Sequence, residues 1–379
     1  MPQVWKIVAG RKKGGDAGTP ALGQVGAGSD SHSMFIDVNG QAWGWGNNQY
    51  YAIGDNTNIN RCVPVSVVGT TKTFCQIVGG HYHSSAIDKN GQVWSWGTDS
   101  SGNLGIGVVF SPNHPTPKSI AGGQKTFCKI SARTDNTSGI DNNGKVWAWG
   151  NNSKGQIGDG TTTNRCTPTA LAGVAKTFCE ISSGNSTTAA IDKNGQIWTW
   201  GWNFFGYLGD GTLTDKCTPV SVAGSTKTFC KITSRGQYHM GAIDKNGQVW
   251  CWGFGALGQL GTGNTQSSCS PRAVAGATKT FCKIDAGFYH TVAIDKNGQA
   301  WSWGYNFSGQ LGDNSTTARC TPVSVAGSTK TFCEISTGNE HVIAIDKNGD
   351  VWAWGSGASG RLGDNTTTSR LTPVRVCNI

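Results

Sequence analysis

The sequence predicts an all-β chain folded as a seven-bladed β-propeller of four-stranded antiparallel blades. Three observations predict it. A pentapeptide, Ala42-Trp43-Gly44-Trp45-Gly46, recurs in the form aliphatic-Trp-small-Trp-Gly at Trp94, Trp147, Trp198, Trp250, Trp301 and Trp352. The spacings from first Trp to first Trp are 51, 53, 51, 52, 51 and 51 residues, and a fixed period of that size marks a solenoid, propeller or array. Each repeat offers four short strand candidates separated by turn residues. The last repeat keeps the full pattern through Thr372-Pro373-Val374-Arg375-Val376, where a linear solenoid would want an atypical cap.

In chain order, residues 1–20 precede the regular array. Residues 4–10 read as a spare strand and Arg11-Lys12-Lys13-Gly14-Gly15-Asp16 as a basic connector. This segment either closes the ring on the last blade or reaches a neighbouring subunit. Residues 21–379 form one propeller domain. The sixth repeat shows its elements. Phe281-Cys282-Lys283-Ile284 is a first strand and His290-Thr291-Val292-Ala293-Ile294 a second. Asp295-Lys296-Asn297-Gly298 is a hairpin turn, and Gln299-Ala300-Trp301-Ser302-Trp303 the third strand. Thr321-Pro322-Val323-Ser324-Val325 is the fourth, with Pro at its head on the sheet edge. Strand alternation puts the two Trp on one face and the small residue on the other, so the bulky face of one sheet can fill the shallow face of the next. A Trp buries roughly 150–250 Å², which gives a core to a chain only 36% hydrophobic. Trp5 and Trp202 alone stand outside the pattern.

The net charge of +9 is dilute, because 14% of residues are charged. Lysines recur at one repeat position (Lys72, Lys125, Lys176, Lys227, Lys279, Lys330) and at another (Lys89, Lys193, Lys245, Lys296, Lys347). A solvated turn surface, neutralised by the Asp of each turn, is favoured over a phosphate- or membrane-facing one. Nucleic acid is therefore not an expected partner. No apolar run approaches a membrane span, and no signal-peptide core opens the sequence, so neither membrane insertion nor classical secretion is expected. Five cysteine pairs share a spacing of 13 (Cys62 and Cys75, Cys166 and Cys179, Cys217 and Cys230, Cys269 and Cys282, Cys320 and Cys333). Buried free thiols acting as small hydrophobes are favoured over repeated disulfides, and the sequence leaves the alternative open.

These repeats resemble the regulator-of-chromosome-condensation (RCC1-like) propeller repeat. The sixth matches its pattern at Gly287 to His290, Asn297-Gly298, Trp301 to Gly304, Gly309 to Gly312 and Pro322 to Val325. The resemblance covers about residues 22–376 and implies the fold. It does not imply one function, because the family includes an exchange factor bound to chromatin, an ultraviolet photoreceptor and a β-lactamase inhibitor. The Gly-Trp-Arg-His-Thr motif of the photoreceptor and the basic tail of the exchange factor are absent from this sequence. The near-identical copies look most similar to repeat arrays of bacteria and of tailed-phage virion proteins.

The candidate chemistry reads as structural. His32, His83, His239, His290 and His341 share one repeat position, with Asn136 and Thr187 in the other two. Packed sheets lie about 10 Å apart and zinc–nitrogen bonds span about 2 Å, so one His per blade does not converge on an ion. Asp-x-Asn-Gly recurs at Asp37, Asp88, Asp141, Asp192, Asp244, Asp295 and Asp346. The distal ligands of a calcium loop are missing, and the motif reads as a hairpin turn. Gly253-Phe254-Gly255-Ala256-Leu257-Gly258 has dinucleotide-fingerprint spacing with no helix after it. No metal, cofactor or catalytic constellation is expected, and the chain reads as a non-enzyme.

The repeats disagree in the loops after strands one and three, which a meander opens on the same face. All seven tyrosines sit there: Tyr50, Tyr51, Tyr82, Tyr207, Tyr238, Tyr289 and Tyr305. So do Trp202, Phe204, Phe205, Phe254, Phe288 and Phe307, mostly in repeats four to six. Aromatic loops of this kind suit a protein-binding hot spot; the competing reading is a plug folded into the channel mouth. The expected function is a protein-binding structural propeller, a tail or capsid-associated virion component for host attachment. Its partner would be a protein, another virion protein or a copy of itself. The alternatives are a soluble bacterial or cellular regulator, acting as an inhibitor or exchange factor, and a carbohydrate-binding adhesin. The corresponding locations are the virion, the cytoplasm, or the exterior reached by a non-classical route.

Overall fold

The computed structural model describes residues 23–29, 32–108, 113–122, 125–224, 226–236, 238–276, 279–327, 330–377 and 379. Seven four-stranded sheets account for the chain, each a simple meander of consecutive antiparallel strands. They span residues 24–66, 74–119, 127–170, 178–221, 229–273, 281–324 and 332–375, here blades 1 to 7. The first strand of every blade packs on the first strands of its two neighbours, and blade 7 meets blade 1 in the same way. That arrangement is a closed ring, as the intact seventh repeat predicts. The expected strand at residues 4–10, with Trp5, lies outside the described residues.

The Trp pentapeptide is the third strand of each blade, for example Ala300–Gly304 in blade 6. Its second Trp is fully buried in all seven blades, whereas its first is half-buried. Trp45 of blade 1 packs on Ile343, Val351 and Ala353 of blade 7. Trp96 of blade 2 packs on Met34, Ile36 and Ala42 of blade 1. The small residue between the Trps is therefore the shallow surface that receives the next blade's ring. In five blades the buried indole also donates across the seam, Trp45 to the Arg361 carbonyl, Trp96 to Ala52, Trp200 to Gln156, Trp252 to Tyr207 and Trp354 to Gln310.

The histidine position completes the seam. The Ser84 hydroxyl of blade 2 donates to the Ala52 carbonyl of blade 1 at 2.8 Å, while His32 Nε2 stands 3.0 Å from the same oxygen of Ser84. One hydroxyl has one proton, so the imidazole must donate to it. His83 to Thr137, His239 to Thr291 and His341 to Ser33 repeat the arrangement. Burial holds His83, His239 and His290 neutral, with pKa values lowered to about 3. Among the described residues no three metal-ligating side chains gather.

On the opposite face the Asp-x-Asn-Gly turn consumes its own carboxylate. Asp295 Oδ1 accepts the backbone N–H of Asn297 and Gln299, and Oδ2 accepts Trp301 Nε1 at 3.0 Å. The first Trp of all seven blades makes this last bond. The repeated lysines lie over the same indoles, as Lys279 does over Trp301 at 4.9 Å and Lys330 over Trp352 at 4.2 Å. The lysine stripe is therefore part of the turn architecture.

Two expectations need correction. The fourth strand of blade 6 is Arg319–Ser324, so Pro322 is inside it and not at its head. Pairing jumps from Ser302 with Val323 to Gly304 with Arg319, and this bulge on an outer strand leaves no ladder bond for proline to lose. The cysteines are free, but Cys251 alone is buried. Cys75, Cys128, Cys179, Cys230, Cys282 and Cys333 each lie at the first-strand irregularity of their blade and reach backbone carbonyls, as Cys75 Sγ does to Ile87 at 3.5 Å. The extra residue of a bulge is unpaired and faces outward, which places these thiols at the surface.

Candidate functional site

The face opposite the Asp turns is built by a glycine. The Gly that ends each third strand has φ near +100°, for example Gly253 at 100° and Gly304 at 104°. A Cβ at Gly304 would lie 2.4 Å from the Tyr289 carbonyl, so only glycine fits this turn. The residue after the glycine then donates its N–H to the carbonyl of the residue before the histidine. Trp202 bonds Ser186, Phe254 bonds Tyr238, Tyr305 bonds Tyr289 and Ser356 bonds Glu340, each at 2.7–2.9 Å. Two positions far apart in the repeat become neighbours, and both are variable.

In blades 5 and 6 both positions are aromatic, in blade 4 Trp202 pairs with Ser186, and the rings of the three blades join. Trp202 stacks on Phe204 (6.1 Å between centroids), which meets Phe205 edge-on at 4.7 Å. Phe205 contacts Phe254 at 5.1 Å and Tyr238 at 6.3 Å. Tyr238 stacks on Tyr289 at 5.2 Å and meets Phe288 edge-on. Tyr289 leads to Tyr305, and Tyr305 to Phe307. Edge-to-face and offset contacts at these distances are the favourable ring geometries. The result is one continuous ridge across three blades. Phe204 and Phe307 stand 61% and 75% exposed on it, and most of the other rings are half-buried.

Tyr207 is an exception to the expected contact set. It is 2% exposed, beneath Trp202, Phe205 and Tyr238, and its hydroxyl has no partner. It stands where the other blades carry Ala52, Asn103, Gln156, Gln259, Gln310 and Arg361, and burial raises its pKa above the ordinary phenol range. It is the floor of the ridge and not a contact residue. The ridge also leaves out three expected members. Tyr50 stacks with Tyr82, which stacks on His81, in a separate cluster of blades 1 and 2. Tyr51 joins no described ring contact and takes a left-handed backbone at φ 63°.

Arginines cross from blade to blade at the centre of the ring. Arg133 of blade 3 reaches the Thr337 carbonyl and Asn339 Oδ1 of blade 7. Arg235 of blade 5 donates to the carbonyls of Ala27 and Gly79, in blades 1 and 2, and approaches Asp285 at 3.8 Å. Burial and the charge of Arg235 lower the Arg133 pKa to about 9. Sequence reading missed both residues. The available signal was Arg133 standing where blades 2, 4, 6 and 7 carry Gly80, Gly184, Gly287 and Gly338.

Beside the ridge, a concavity of about 370 Å³ is lined by Phe254, Leu257, Phe288, Tyr289, Tyr305, Gln310, Asn339 and Glu340. Burial, reinforced by Tyr238 alongside, pushes the Tyr289 hydroxyl up to about 12, so at neutral pH it remains a donor.

Comparison with known proteins agrees with this architecture. The profile of the RCC1-like domain matches residues 112–379, and profiles of the regulator of chromosome condensation (RCC1) repeat match residues 24–52 and 39–87. Over 350 residues the chain is 27% identical to the ultraviolet-B receptor UVR8 of Arabidopsis thaliana, covering 90% of this chain and 79% of the receptor. It is 28% identical over 310 residues to the E3 ubiquitin-protein ligase HERC2 of Homo sapiens, which is 79% of this chain and 6% of the ligase. Among solved structures, Prp20p of Saccharomyces cerevisiae superposes with a TM-score of 0.80 at 20% identity, over 91% of this chain and 88% of that one. Human WBSCR16 superposes with a TM-score of 0.79 at 16% identity, over 92% and 94%.

Proposed function

The chain belongs to the RCC1-like propeller family, and on that premise we propose that it is a non-enzymatic, protein-binding propeller of the regulator kind. The partner docks on the aromatic ridge of blades 4 to 6. The ridge carries the reading: nine rings from Trp202 to Phe307 run in unbroken contact over Tyr207, on the face where the repeats differ. Interface hot spots are rich in Trp and Tyr, and an exposed apolar patch of this extent marks a contact surface. The yeast Prp20p structure is described with that protein's binding to Gsp1p and histones, and another with Kap60 bound, so protein binding has precedent on this fold. The ridge offers broad contact area, which supports a binding role.

The named relatives come from a plant, an animal and a yeast. They lend no support to the expected likeness to bacterial and phage arrays, and the virion reading gains nothing from the ridge that the regulator reading lacks. The docking face is tested by installing a photo-reactive benzophenone residue in place of Phe307, and separately in place of Lys279 on the opposite face. Protein cross-links recovered from position 307 and absent from 279 are expected. Equal recovery from both, or recovery from 279 alone, overturns the assignment. Cross-linking to glycan in place of protein would move the reading to the adhesin.

A further inference from the structure

The concavity at the blade 6 end of the ridge differs from the rest of it by one charge. Phe254, Phe288, Tyr289 and Tyr305 supply its walls, and Asn339 and Glu340 of blade 7 close its side. Its volume of about 370 Å³ falls at the lower end of small-ligand pockets, roughly 300–1,000 Å³. Most other carboxylates of this face are engaged, the buried Asp99 of blade 2 being an exception. Asp55, Asp159, Asp313 and Asp364 each pair with an Arg of their own loop, and Asp135 accepts the Ser100 hydroxyl. The half-buried Glu340 carboxylate has neither a hydrogen bond nor an ion pair among the described residues. The chain carries a net charge of +9, yet it supplies this acid with no cation.

The loop that presents Glu340 is fixed. Its own carbonyl accepts Ser356 N–H at 2.9 Å, and Asn339 N–H donates to Ser29 of blade 1 at 2.9 Å. The Asn339 carbonyl accepts Phe288 N–H at 3.2 Å, and its side-chain oxygen accepts Arg133 at 2.8 Å. The backbone that carries Glu340 is thus held at the wall of the aromatic concavity before any ligand arrives. Ring quadrupoles attract cations, and a partly buried carboxylate without a counter-ion is a cost that an entering cation relieves. We propose that this pocket receives the basic side chain of a protein partner, Lys or Arg with or without methylation, and so selects a basic segment. The inference rests on the docking reading above and names the chemistry of what docks.

The test is a ligand-observed NMR titration of the full chain with three capped amino acids: trimethyl-lysine, arginine and norleucine. The cations are expected to bind at least about tenfold more tightly than uncharged norleucine. Glu340→Gln should erase that preference at an unchanged melting midpoint, Tyr289→Ala should abolish binding, and Lys279→Ala, on the opposite face, should change nothing. Equal binding of norleucine, or no binding of either cation, overturns the proposal. If the cations fail while position 307 still cross-links a protein, the basic side chain is wrong and the docking face stands. If the cations bind while position 307 recovers no protein, the docking reading fails and the pocket is a site for free cations.

Discussion

The two faces of the ring are made from the same repeat and have opposite characters. On the turn face each blade repeats Asp-x-Asn-Gly, each Asp carboxylate is consumed by its own hairpin, and each first Trp of blades 2 to 7 lies under a lysine. On the loop face the glycine turn is constant but the residues around it change from blade to blade, and they leave rings exposed and the acids Asp99 and Glu340 without a partner among the described residues. The comparison teaches that, in this repeat, near-identity marks bonds the fold needs, and divergence marks surface released from that need. Trp200 and Trp202 state it most sharply. They are two residues apart, yet one is sealed in the seam of blades 3 and 4 and the other begins the ridge.

The largest effect should therefore separate that pair. Trp200→Ala empties a fully buried site and removes one of the two donors to the Gln156 carbonyl, the Thr188 hydroxyl being the other; a loss of about 3–5 kcal/mol is expected in urea unfolding. Trp202→Ala should cost far less, because only the half-buried rim loses contact. Similar losses for both would break the comparison.

A smaller effect concerns acid. His290 is fully buried, with its pKa lowered to about 3 by burial, then by His239 and Arg133 nearby. The unfolded chain takes up this proton near the ordinary value of 6.5, the folded chain only near 3. Its contribution to stability is complete above pH 6.5 and is lost as pH falls toward 3. Blade 4 carries Thr187 at this position, and Val342 gives His290 no hydroxyl partner. His290→Thr should shift the midpoint of acid unfolding to lower pH, read by circular dichroism. An unchanged midpoint would mean that the seam does not hold this ring neutral.

The smallest effect lies in the blade 2 loop, at a position that is Asn in four blades and Gly255 and Gly357 in blades 5 and 7. Asn48, Asn152, Asn203 and Asn306 each donate their amide to the carbonyl of a loop Thr or Ser. Blade 2 has Asp99 there. Burial raises its pKa; the N–H groups of Leu104, Gly102 and Asn103 face it and pull the other way without reaching hydrogen-bond geometry. A raised carboxylate costs stability once pH exceeds its unfolded value. Asp99→Asn should stabilise the ring at neutral pH by on the order of 1 kcal/mol, with the gain shrinking toward pH 4. A loss at neutral pH would contradict it.

Much of this was legible because the repeat supplies its own internal comparison. Seven copies of Trp-x-Trp-Gly set the blades, the strand order and the face on which divergence would appear. Of the thirteen expected contact residues, nine share the ridge, since the glycine turn brings positions 16 residues apart, such as Tyr289 and Tyr305, to one hydrogen bond. Tyr207 could not be placed, because its turn after the third strand buries it beneath the ridge and nothing local to the sequence says so. Cys75 was misplaced because a thiol was expected to pack inside as a small hydrophobe, whereas it sits at a first-strand bulge next to the buried Phe74 and is exposed. Arg133 and Arg235 act across the channel on blades far away in sequence, a relation no repeat period encodes.

The most direct measurement is quantitative capture from an extract of the source cells by three forms of the chain: wild type, Trp202→Ala with Phe205→Ala, and Lys279→Ala with Lys330→Ala. The account predicts that the wild type and the lysine variant retain the same protein to the same extent, that the aromatic variant retains about tenfold less or none, and that all three melt cooperatively. Equal capture by the aromatic variant, or a loss confined to the lysine variant, would contradict it.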